Sequence, residues 1–343
     1  MENNEIKTCP CPACLACGSP GKPLYRGLTD PLFNAPGVWD MRKCDNQDCG
    51  TLWLDPMPLS DEIHKAYLNY YTHKDVAPHK GLTYKALYLA RNGYHSRRFG
   101  YQSDQVSTGA KFLGVLIGFV PAIGDYLDYP FKFFQGLPNK GQLLELGCGN
   151  GDTLKLLSEW GWEVEGIDFD PKAVANAREK GVPAYEGDLF SRNYSSMSFD
   201  AIFSNHVIEH VPDPAAILVE SHRILKPGGR CIVVTPNANS MLHGHFRSDW
   251  RGMEPPRHLH LFTAGSLARL AQDAGFREFK VMSLTRGTAW MYWASKAIQR
   301  GQGVHWNYSP NKKLIGELLH LAAYMYHFVK PDCGEELVLI GER

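Results

Sequence analysis

The residues with the clearest chemical signal follow an apolar run, where Gly147, Gly149 and Gly151 alternate with other residues. A leucine-rich helical pattern begins directly after them, so the order is strand, glycine-rich turn and helix. Such a turn opens a βαβ unit, and its glycines let the backbone approach a bound ligand closely. A dinucleotide site prefers the spacing G-x-G-x-x-G, whereas the third glycine here comes one residue early.

Acidic residues around this turn indicate which ligand it suits. Glu145 lies just before the first glycine, where a carboxylate would repel a pyrophosphate. Asp168 ends a second predicted strand about 20 residues after Gly147, the spacing at which an acid reaches ribose hydroxyls. Asp188 follows a third short strand and can accept a hydrogen bond from an adenine amino group. These surroundings favour S-adenosylmethionine, which carries an ammonium and a sulfonium.

The elements that must position these residues continue the alternation of strand and helix. A fourth strand is predicted at Phe199–Ser204, and a helix follows that ends at the Lys-Pro-Gly-Gly run 226–229. A fifth strand is predicted at Cys231–Thr235, and a strand at Glu336–Gly341 would close the sheet. Strands that alternate with helices predict a parallel sheet with helices on both faces.

In this order and at these spacings the motifs resemble those of the class I S-adenosylmethionine-dependent methyltransferases, over about residues 140–283 and the closing strand. The resemblance implies an α/β fold with a doubly wound, seven-stranded, mostly parallel, Rossmann-like sheet. It places the methyltransferase domain at 141–343, with a helical insertion at about 285–334. It also implies that the cofactor contacts Glu145, Gly147, Cys148, Gly149, Asp168, Phe169, Asp188, Leu189 and Asn205.

Cysteine pairs near the N-terminus form a second chemical signal. Cys14 and Cys17 belong to a C-x-x-C-G knuckle, and Cys44 and Cys49 to a wider one. Two such pairs predict a structural zinc site with four thiolates, because so short a segment has too little apolar content to fold alone. The alternative is reduced cysteines without a metal. Two further cysteines are interpreted as spare thiols, Cys9 and Cys11.

A cysteine-rich head of this kind resembles the zinc ribbon of a subset of methyltransferases, and it predicts a first domain at 1–59. Residues 60–140 would then form a helical linker or lid. Within them, 80–111 is basic and 112–124 is apolar but shorter than the roughly 20 residues of a transmembrane helix. Three interpretations stay open: packing on the catalytic domain, a lid over an apolar acceptor, and peripheral contact of 80–134 with a membrane.

The segment Asn237–Phe262 leaves the carboxyl end of the fifth strand, where ligands of open α/β sheets bind. It contains Arg257, followed by His258 and His260. The stretch resembles one that borders the acceptor in zinc-ribbon methyltransferases of polysaccharide and secondary-metabolite pathways. Arg257 is interpreted as a grip for an acidic group of the acceptor.

Methyl transfer from a sulfonium is an in-line displacement, so the enzyme mainly holds the acceptor and the methyl group in place. A hydroxyl acceptor must also lose a proton, which a neutral histidine can accept near pH 7. The predicted catalytic residues are His258 first, then His260 and then His206. His210 comes last, because the pair Glu209–His210 is common in the family and suggests a role in the fold or in cofactor binding.

These inferences predict an S-adenosylmethionine-dependent methyltransferase that acts on oxygen in a small molecule, such as a sugar, a lipid-linked or a secondary-metabolite hydroxyl. One alternative is carbon or nitrogen methylation of a nucleotide-linked sugar. Another, from a different class, is a zinc-ribbon binding module whose methyltransferase-like domain no longer reacts. The acids Glu145, Asp168 and Asp188 weigh against that module, because an inactive domain has no need of them. The sequence does not identify the acceptor.

Bulk composition limits the partners. The 36 basic and 36 acidic residues balance, which argues against a general affinity for nucleic acid. The acidic N-terminus lacks the basic start and apolar core of a signal peptide, so a cytoplasmic protein is expected, with membrane association left open. A small-molecule acceptor is the expected partner, and a lipophilic acceptor is left open. A late helix at about 311–330 carries an apolar stripe that is expected to pack against the core, with a pocket wall as the alternative, formed by Leu314, Ile315, Leu318, Leu319, Ala322 and Tyr326.

Overall fold

The structure is a computed structural model that describes residues 5–68, 82–100, 127–137, 140–302 and 310–343, with single positions at 107, 109, 110, 112 and 114. Most of the apolar run 112–124 and the start of the basic stretch at Lys80 lie outside the described residues. The predicted lid or membrane contact therefore stays a prediction.

Thirteen strands are present among the described residues. Numbered β1 to β13 in chain order, they are Thr8–Cys9, Gly21–Leu28, Trp39–Cys44, Leu52–Leu54, Met57–Pro58, Gln142–Leu146, Glu163–Asp168, Ala184–Glu186, Phe199–Asn205, Leu225–Pro236, His260–Leu261, Glu278–Leu284 and Glu336–Glu342. Seven of them form one mostly parallel sheet with the order β12–β13–β10–β9–β6–β7–β8. This is the doubly wound order expected from the sequence, and the predicted fold class is confirmed.

Eight α-helices accompany these strands in the part of the chain that the structure describes. Numbered α1 to α8, they are Leu82–Phe99, Asp152–Glu159, Pro171–Glu179, Pro214–Ile224, Met241–Phe246, Ala264–Asp273, Thr288–Gln299 and Pro310–His327. Short 3₁₀ turns occur at Ile63–Tyr67, Phe131–Phe134, Ile208–His210, Arg247–Asp249 and Arg251–Met253. No helix among the described residues is long and apolar enough to cross a membrane.

Sequence and structure differ at the start of β10. The Lys-Pro-Gly-Gly run was expected to separate a helix from a strand that begins at Cys231, whereas the strand already begins at Leu225. The helix before it ends at Ile224. Gly228 adopts a φ of 76°, which only glycine takes readily, so the run continues the strand through a local bend.

The chain divides into two compact units. The second unit comprises residues 71–203 and 224–232. Its strands β6, β7 and β8 pair in parallel, with Glu145 opposite Gly166 and Asp168 opposite Glu186. The end of β6 is buried, with Leu143 and Leu144 at 0% exposure, and it leads directly into the glycine-rich turn.

The first unit comprises residues 1–70, 204–223 and 233–343. It contains a four-stranded sheet of order β11–β4–β3–β2, in which β11 lies antiparallel to β4 with His260 opposite Trp53. Residues near 260 thus extend the sheet of the cysteine-rich head. Strands β12 and β13 pair antiparallel over their whole length.

Helix α8 corrects one expectation. Its apolar stripe was expected to pack against the core, yet Leu314 is 63% and Leu318 is 58% exposed. Leu321 and Met325 on the same helix are exposed as well. The periodicity shows that a helix is amphipathic, but it does not show what covers the apolar face.

Candidate functional site

The turn after β6 has the backbone that a ligand cradle needs. Gly147, Gly149 and Gly151 have φ of 66°, 52° and 75°, a region that other residues rarely adopt. A Cβ atom on Gly149 would meet no atom within 4 Å, whereas one on Gly151 would lie 2.8 Å from Ala177 Cβ. Gly151 is therefore needed for helix packing, and Gly149 leaves open space beside the turn.

Glu145 lies near the end of β6, two residues before Gly147, and one oxygen of its carboxyl group is unpaired within the described part of the chain. Its side chain is buried, and Oε2 has no hydrogen-bond partner among the described residues. Burial raises the pKa of the Glu145 carboxyl well above its usual range, and the neighbouring Asp168 raises it further. A buried acceptor without a partner is costly, so the carboxyl fits a ligand that brings an ammonium group.

Asp168, at the end of β7, holds the turn in place. Its Oδ2 accepts a hydrogen bond from Gly149 N at 2.8 Å, and its Oδ1 accepts one from Asp170 N at 2.9 Å. A carboxylate oxygen can accept more than one hydrogen bond, so these contacts do not exclude contacts with ribose hydroxyls. Asp168 would therefore order the glycine turn as well as bind the ligand.

The other predicted cofactor residues of this unit lie on neighbouring loops. Phe169 is 59% exposed and Leu189 is buried. Asp188 is exposed, and its Oδ1 accepts a hydrogen bond from Ser191 N at 2.7 Å, which fixes the loop after β8. Cys148 is buried and its amide donates to Ile167 O at 3.0 Å. An open glycine turn, an unpaired buried carboxyl and an exposed aromatic ring together fit S-adenosylmethionine.

The head of the first unit brings four cysteines together. The Sγ atoms of Cys14, Cys17, Cys44 and Cys49 all lie within 4.8 Å of one another. Cys14 and Cys49 Sγ are 3.7 Å apart, and Cys17 and Cys44 Sγ are 3.4 Å apart. A tetrahedral zinc with Zn–S bonds of about 2.3 Å needs sulfurs about 3.8 Å apart, so the four thiols fit the ion.

The backbone supports the same interpretation. Gly18 N donates to Cys14 O at 2.7 Å, and Gly50 N donates to Asn46 O at 2.9 Å, so both knuckles turn at a glycine. Thr51 Oγ1 lies 3.2 Å from Cys49 Sγ and can orient that ligand. The spare cysteines are not part of this group: Cys9 is exposed, and Cys11 Sγ lies near Ala13 O.

A second cluster of the first unit is centred on Glu209, which is fully buried. Its Oε1 lies 3.1 Å from His206 Nδ1 and 4.0 Å from His210 Nε2. Thr235 Oγ1 donates to Oε2 at 3.0 Å. The ring of His258 lies 4.7 Å from the ring of His210, measured between centroids. The structure thus collects three histidines around one carboxylate.

His206 is the charged member of this cluster. Its Nδ1 faces Glu209 and its Nε2 lies 3.1 Å from Glu336 Oε1, which also accepts from Arg286. Burial opposes the charged form, but the two carboxylates prevail and raise the pKa of His206 to about 10. An imidazolium can donate a proton but cannot accept one, so the geometry disfavours His206 as the base.

His258 and His260 are both buried, with 5% and 1% exposure. Burial is the main cause that lowers the pKa of each ring to about 4, so both are neutral near pH 7. His258 Nδ1 lies 2.7 Å from Gly252 O, and a carbonyl only accepts, so Nδ1 carries the proton. His260 lies in β11 beside Phe262.

His210 combines a free lone pair with partial exposure. Its Nδ1 lies 2.9 Å from Arg257 O, so Nδ1 carries the proton and Nε2 is the basic atom. The Tyr67 hydroxyl lies 3.0 Å from the same Nδ1, and the side chain is 20% exposed. Among the three histidines around Glu209, His210 has the arrangement that best suits a general base.

Arg257 does not have the role expected from the sequence. Its side chain is fully buried, and it donates to Asp30 Oδ2, to Glu254 Oε1 and to Ala66 O. The expectation that Arg257 grips an acidic group of the acceptor is therefore wrong. The guanidinium is used inside the first unit, where it holds the segment before His258 against the cysteine-rich head.

Known proteins are similar to part of this chain. A family model described as methyltransferase domain matches residues 123–280. A ubiquinone biosynthesis O-methyltransferase of Aeromonas salmonicida is 26% identical over 221 residues, which cover 61% of this chain and 84% of that protein. An S-adenosylmethionine-dependent methyltransferase structure from Archaeoglobus fulgidus aligns with a TM-score of 0.45 and 15% identity, covering 62% of this chain and 90% of its own.

The chain carries a methyltransferase domain, which the family model matches at residues 123–280. A further relative, a protein of Streptomyces fradiae described as an uncharacterized 37.1 kDa protein in transposon TN4556, is 34% identical over 156 residues. The match covers 41% of this chain and only 45% of that protein, so the relative's own length extends well beyond it.

The sequence favours His210 least among the four candidate histidines of this methyltransferase domain, because a Glu-His pair after the fourth strand suggests a role in the fold or in cofactor binding. The structure gives His210 two partners from distant segments, Tyr67 and the carbonyl of Arg257. A tyrosine at the end of the head and a histidine 143 residues later give no signal of pairing in one sequence. The adjacent carboxylate of Glu209 was the available signal, because a base is commonly oriented by an acid.

Proposed function

We propose that this protein methylates a hydroxyl oxygen of a small molecule, such as a sugar, a lipid-linked or a secondary-metabolite hydroxyl, with S-adenosylmethionine as methyl donor. The observation that supports the proposal is the Glu209 cluster, in which His210 Nδ1 donates to Arg257 O and Nε2 is the ring atom left to accept a proton. The relative from Aeromonas salmonicida is described as an O-methyltransferase, which supports the same reaction class.

In the proposed step, His210 Nε2 takes the proton of the acceptor hydroxyl while the oxygen attacks the methyl carbon. When bound, S-adenosylmethionine supplies an activated methyl group and leaves as S-adenosylhomocysteine. Arg257 O holds the proton on Nδ1, so that Nε2 faces the acceptor as a base. Glu209 stabilises the imidazolium that forms, because its carboxylate is buried and lies 4.0 Å from Nε2.

The methyl donor is proposed to contact Glu145, Gly147, Gly149, Asp168 and Asp188, with Cys148, Phe169, Leu189 and Asn205 around them. Glu145 would accept from the ammonium group, because Oε2 is buried and has no partner in the described ranges. Asp168 would accept from the ribose hydroxyls and Asp188 from the adenine amino group. The zinc ion is proposed to have a structural role on the four cysteines of the head.

Two alternative functions remain proposals. Carbon or nitrogen methylation of a nucleotide-linked sugar would need a different acceptor atom: a carbon acceptor must also lose a proton to a base, whereas a neutral amine can attack through its own lone pair. A binding module without activity is disfavoured by the unpaired Glu145, since an inactive domain would gain from an apolar residue there. Membrane contact of 80–134 and a lipophilic acceptor also remain predictions, and much of that segment lies outside the described residues.

The test is a methyl-transfer assay with labelled S-adenosylmethionine and a panel of hydroxyl, amine and carbon acceptors. The variants are His210→Gln, His258→Gln, His260→Gln and His206→Gln. His210→Gln should lower kcat by about 10²–10⁴ with unchanged cofactor affinity, because it removes only the proton acceptor. Normal turnover in His210→Gln with a large loss in His258→Gln or His260→Gln would move the base to that residue. Transfer to amines or carbon alone would overturn O-methylation.

A further inference from the structure

A cavity of about 380 Å³ in the first unit is lined by residues that no step of methyl transfer uses. Its walls come from β2 and β3 of the head, from the segment after β10 and from the end of α8. The polar and charged side chains of the lining include Tyr25, Lys43, Ser240, His243, Arg247 and Lys330. A volume of this size suits a small organic ligand, since such sites span roughly 300–1,000 Å³.

The cavity is strongly basic. Lys43, Arg247 and Lys330 line it, and its lining includes no acidic residue. Each of the three is exposed, and none has an ion-pair partner within 4.0 Å in the described part of the chain. A neighbouring cavity of about 320 Å³ differs, because Asp48 and Asp332 line it beside Lys43. The lining of the first cavity thus carries positive charge and no acidic side chain, and such a surface attracts anions.

A neutral, fixed pair of side chains forms the inner wall. Tyr25 hydroxyl donates to His243 Nε2 at 3.0 Å, and His243 Nδ1 donates to Ala238 O. Burial lowers the pKa of His243, and the positive charges of Lys43 and Arg247 lower it further. The histidine therefore stays neutral, and its role is to hold the tyrosine in position. The ring of Tyr25 offers an apolar surface, and its oxygen can still accept a hydrogen bond.

Arg247 is held in an unfavourable backbone conformation. Its φ is 55° and its ψ is −123°, a combination that residues other than glycine rarely adopt. Local strain of this kind persists where the surrounding structure imposes it, and it is concentrated at binding sites. Glycine at 247 would relieve the strain, yet the chain has an arginine there, whose guanidinium lines the cavity.

We infer that this cavity binds the phosphate group of an organic phosphate of about the size of a sugar phosphate or a nucleotide. Arg247 can bind a phosphate through two parallel hydrogen bonds, and the lysines add charge. Tyr25 packs against the organic part. None of the lining residues belongs to the Glu209 cluster, so the site stands whether or not the acceptor is a hydroxyl.

Isothermal titration calorimetry on the full chain tests the site with inorganic phosphate, glucose 1-phosphate and uridine diphosphate, and with glucose as the uncharged control. Glucose 1-phosphate or uridine diphosphate should bind, glucose should not, and affinity should fall with added salt. Arg247→Ala and Lys330→Ala should each weaken binding about tenfold or more. Lys280→Ala, which removes an exposed charge on β12 away from the cavity, should leave it unchanged.

Binding by none of the phosphates would overturn the inference, and so would equal affinity in Arg247→Ala and Lys280→Ala. Arg247→Gly gives a second reading, because it removes the guanidinium and also relieves the backbone. It should lose binding like Arg247→Ala while unfolding at an equal or higher temperature. A glycine variant that binds normally but is less stable than the alanine variant would assign Arg247 a structural role instead.

Discussion

Arg257 Nη1 donates a hydrogen bond to Asp30 Oδ2 at 2.8 Å, although 227 residues separate the two along the chain. Both side chains are buried, with 0% and 1% exposure. Arg257 Nε also donates to Glu254 Oε1 at 3.0 Å. Burial alone would raise the pKa of Glu254, but the adjacent cations outweigh burial and lower this pKa below its usual range. The cysteine-rich head and the segment that carries His258 are therefore joined by a buried ionic contact.

Removing one partner of this contact should destabilise the protein strongly. Arg257→Met leaves the buried carboxylate of Asp30 without its cation and leaves Glu254 with Arg251 alone, so we expect a loss of about 3–5 kcal/mol of unfolding free energy. The matched control is Arg223→Met, whose pair with Glu220 is 41% exposed on the arginine side, so its loss should cost much less stability. Urea denaturation measures both. A loss in Arg257→Met no larger than in the control would show that the pair contributes little.

Much of the fold follows from local patterns. The buried strand before the glycines and the acid that ends β7 were visible because period, turn chemistry and spacing all act over a few residues. The cysteine knuckles were visible for the same reason, and the structure brings their four sulfurs together. Whether they hold zinc remains a prediction.

The two predictions that were wrong depend on contacts between distant segments. Arg257 looked like a ligand grip because its partner Asp30 lies in the head, and nothing near 257 indicates that partner. The apolar stripe of α8 looked like core because hydropathy alone does not show which faces are covered, and Leu314 is in fact exposed. Long-range pairing of this kind has no signature in one sequence without relatives.

Glu145→Gln should separate stability from cofactor binding. The variant keeps the shape but cannot carry the negative charge that an ammonium ligand needs, so affinity for S-adenosylmethionine should fall about 10–100-fold. The folded-state pKa of Glu145 is raised, mainly by burial, so its contribution to stability is present at low pH and lost as pH rises through the raised pKa.

Without bound cofactor, Glu145→Gln should therefore lose less stability than the original protein when the pH is raised above about 4.5, the usual pKa of a glutamate. Calorimetry gives the affinity, and denaturation at several pH values gives the stability. Unchanged affinity for the cofactor in Glu145→Gln would remove Glu145 from the binding site.

His206 predicts a dependence of stability on alkaline pH. Its pKa is raised to about 10, so its ion pairs with Glu209 and Glu336 stabilise the fold fully below about pH 6.5 and are lost as pH rises through about 10. The difference in unfolding free energy between the original protein and His206→Gln should shrink over that window. The histidine is 34% exposed, so solvent screens part of the effect. Parallel stability curves for the two proteins between pH 6 and pH 10 would contradict this assignment.

The four cysteines of the head make the sharpest prediction about metal content. Cys14, Cys17, Cys44 and Cys49 are close enough to share one ion, and Cys9 is an exposed cysteine outside the group. Protein purified without a chelator should contain one zinc per chain, with Zn–S distances of about 2.3 Å by X-ray absorption. Cys44→Ser should lose the metal and loosen the head, because a structural zinc supplies folding energy to so small a segment. Cys9→Ser should keep its full zinc content and its stability. Undiminished zinc in Cys44→Ser, or an original protein that holds none, would show that the cluster is a set of reduced thiols.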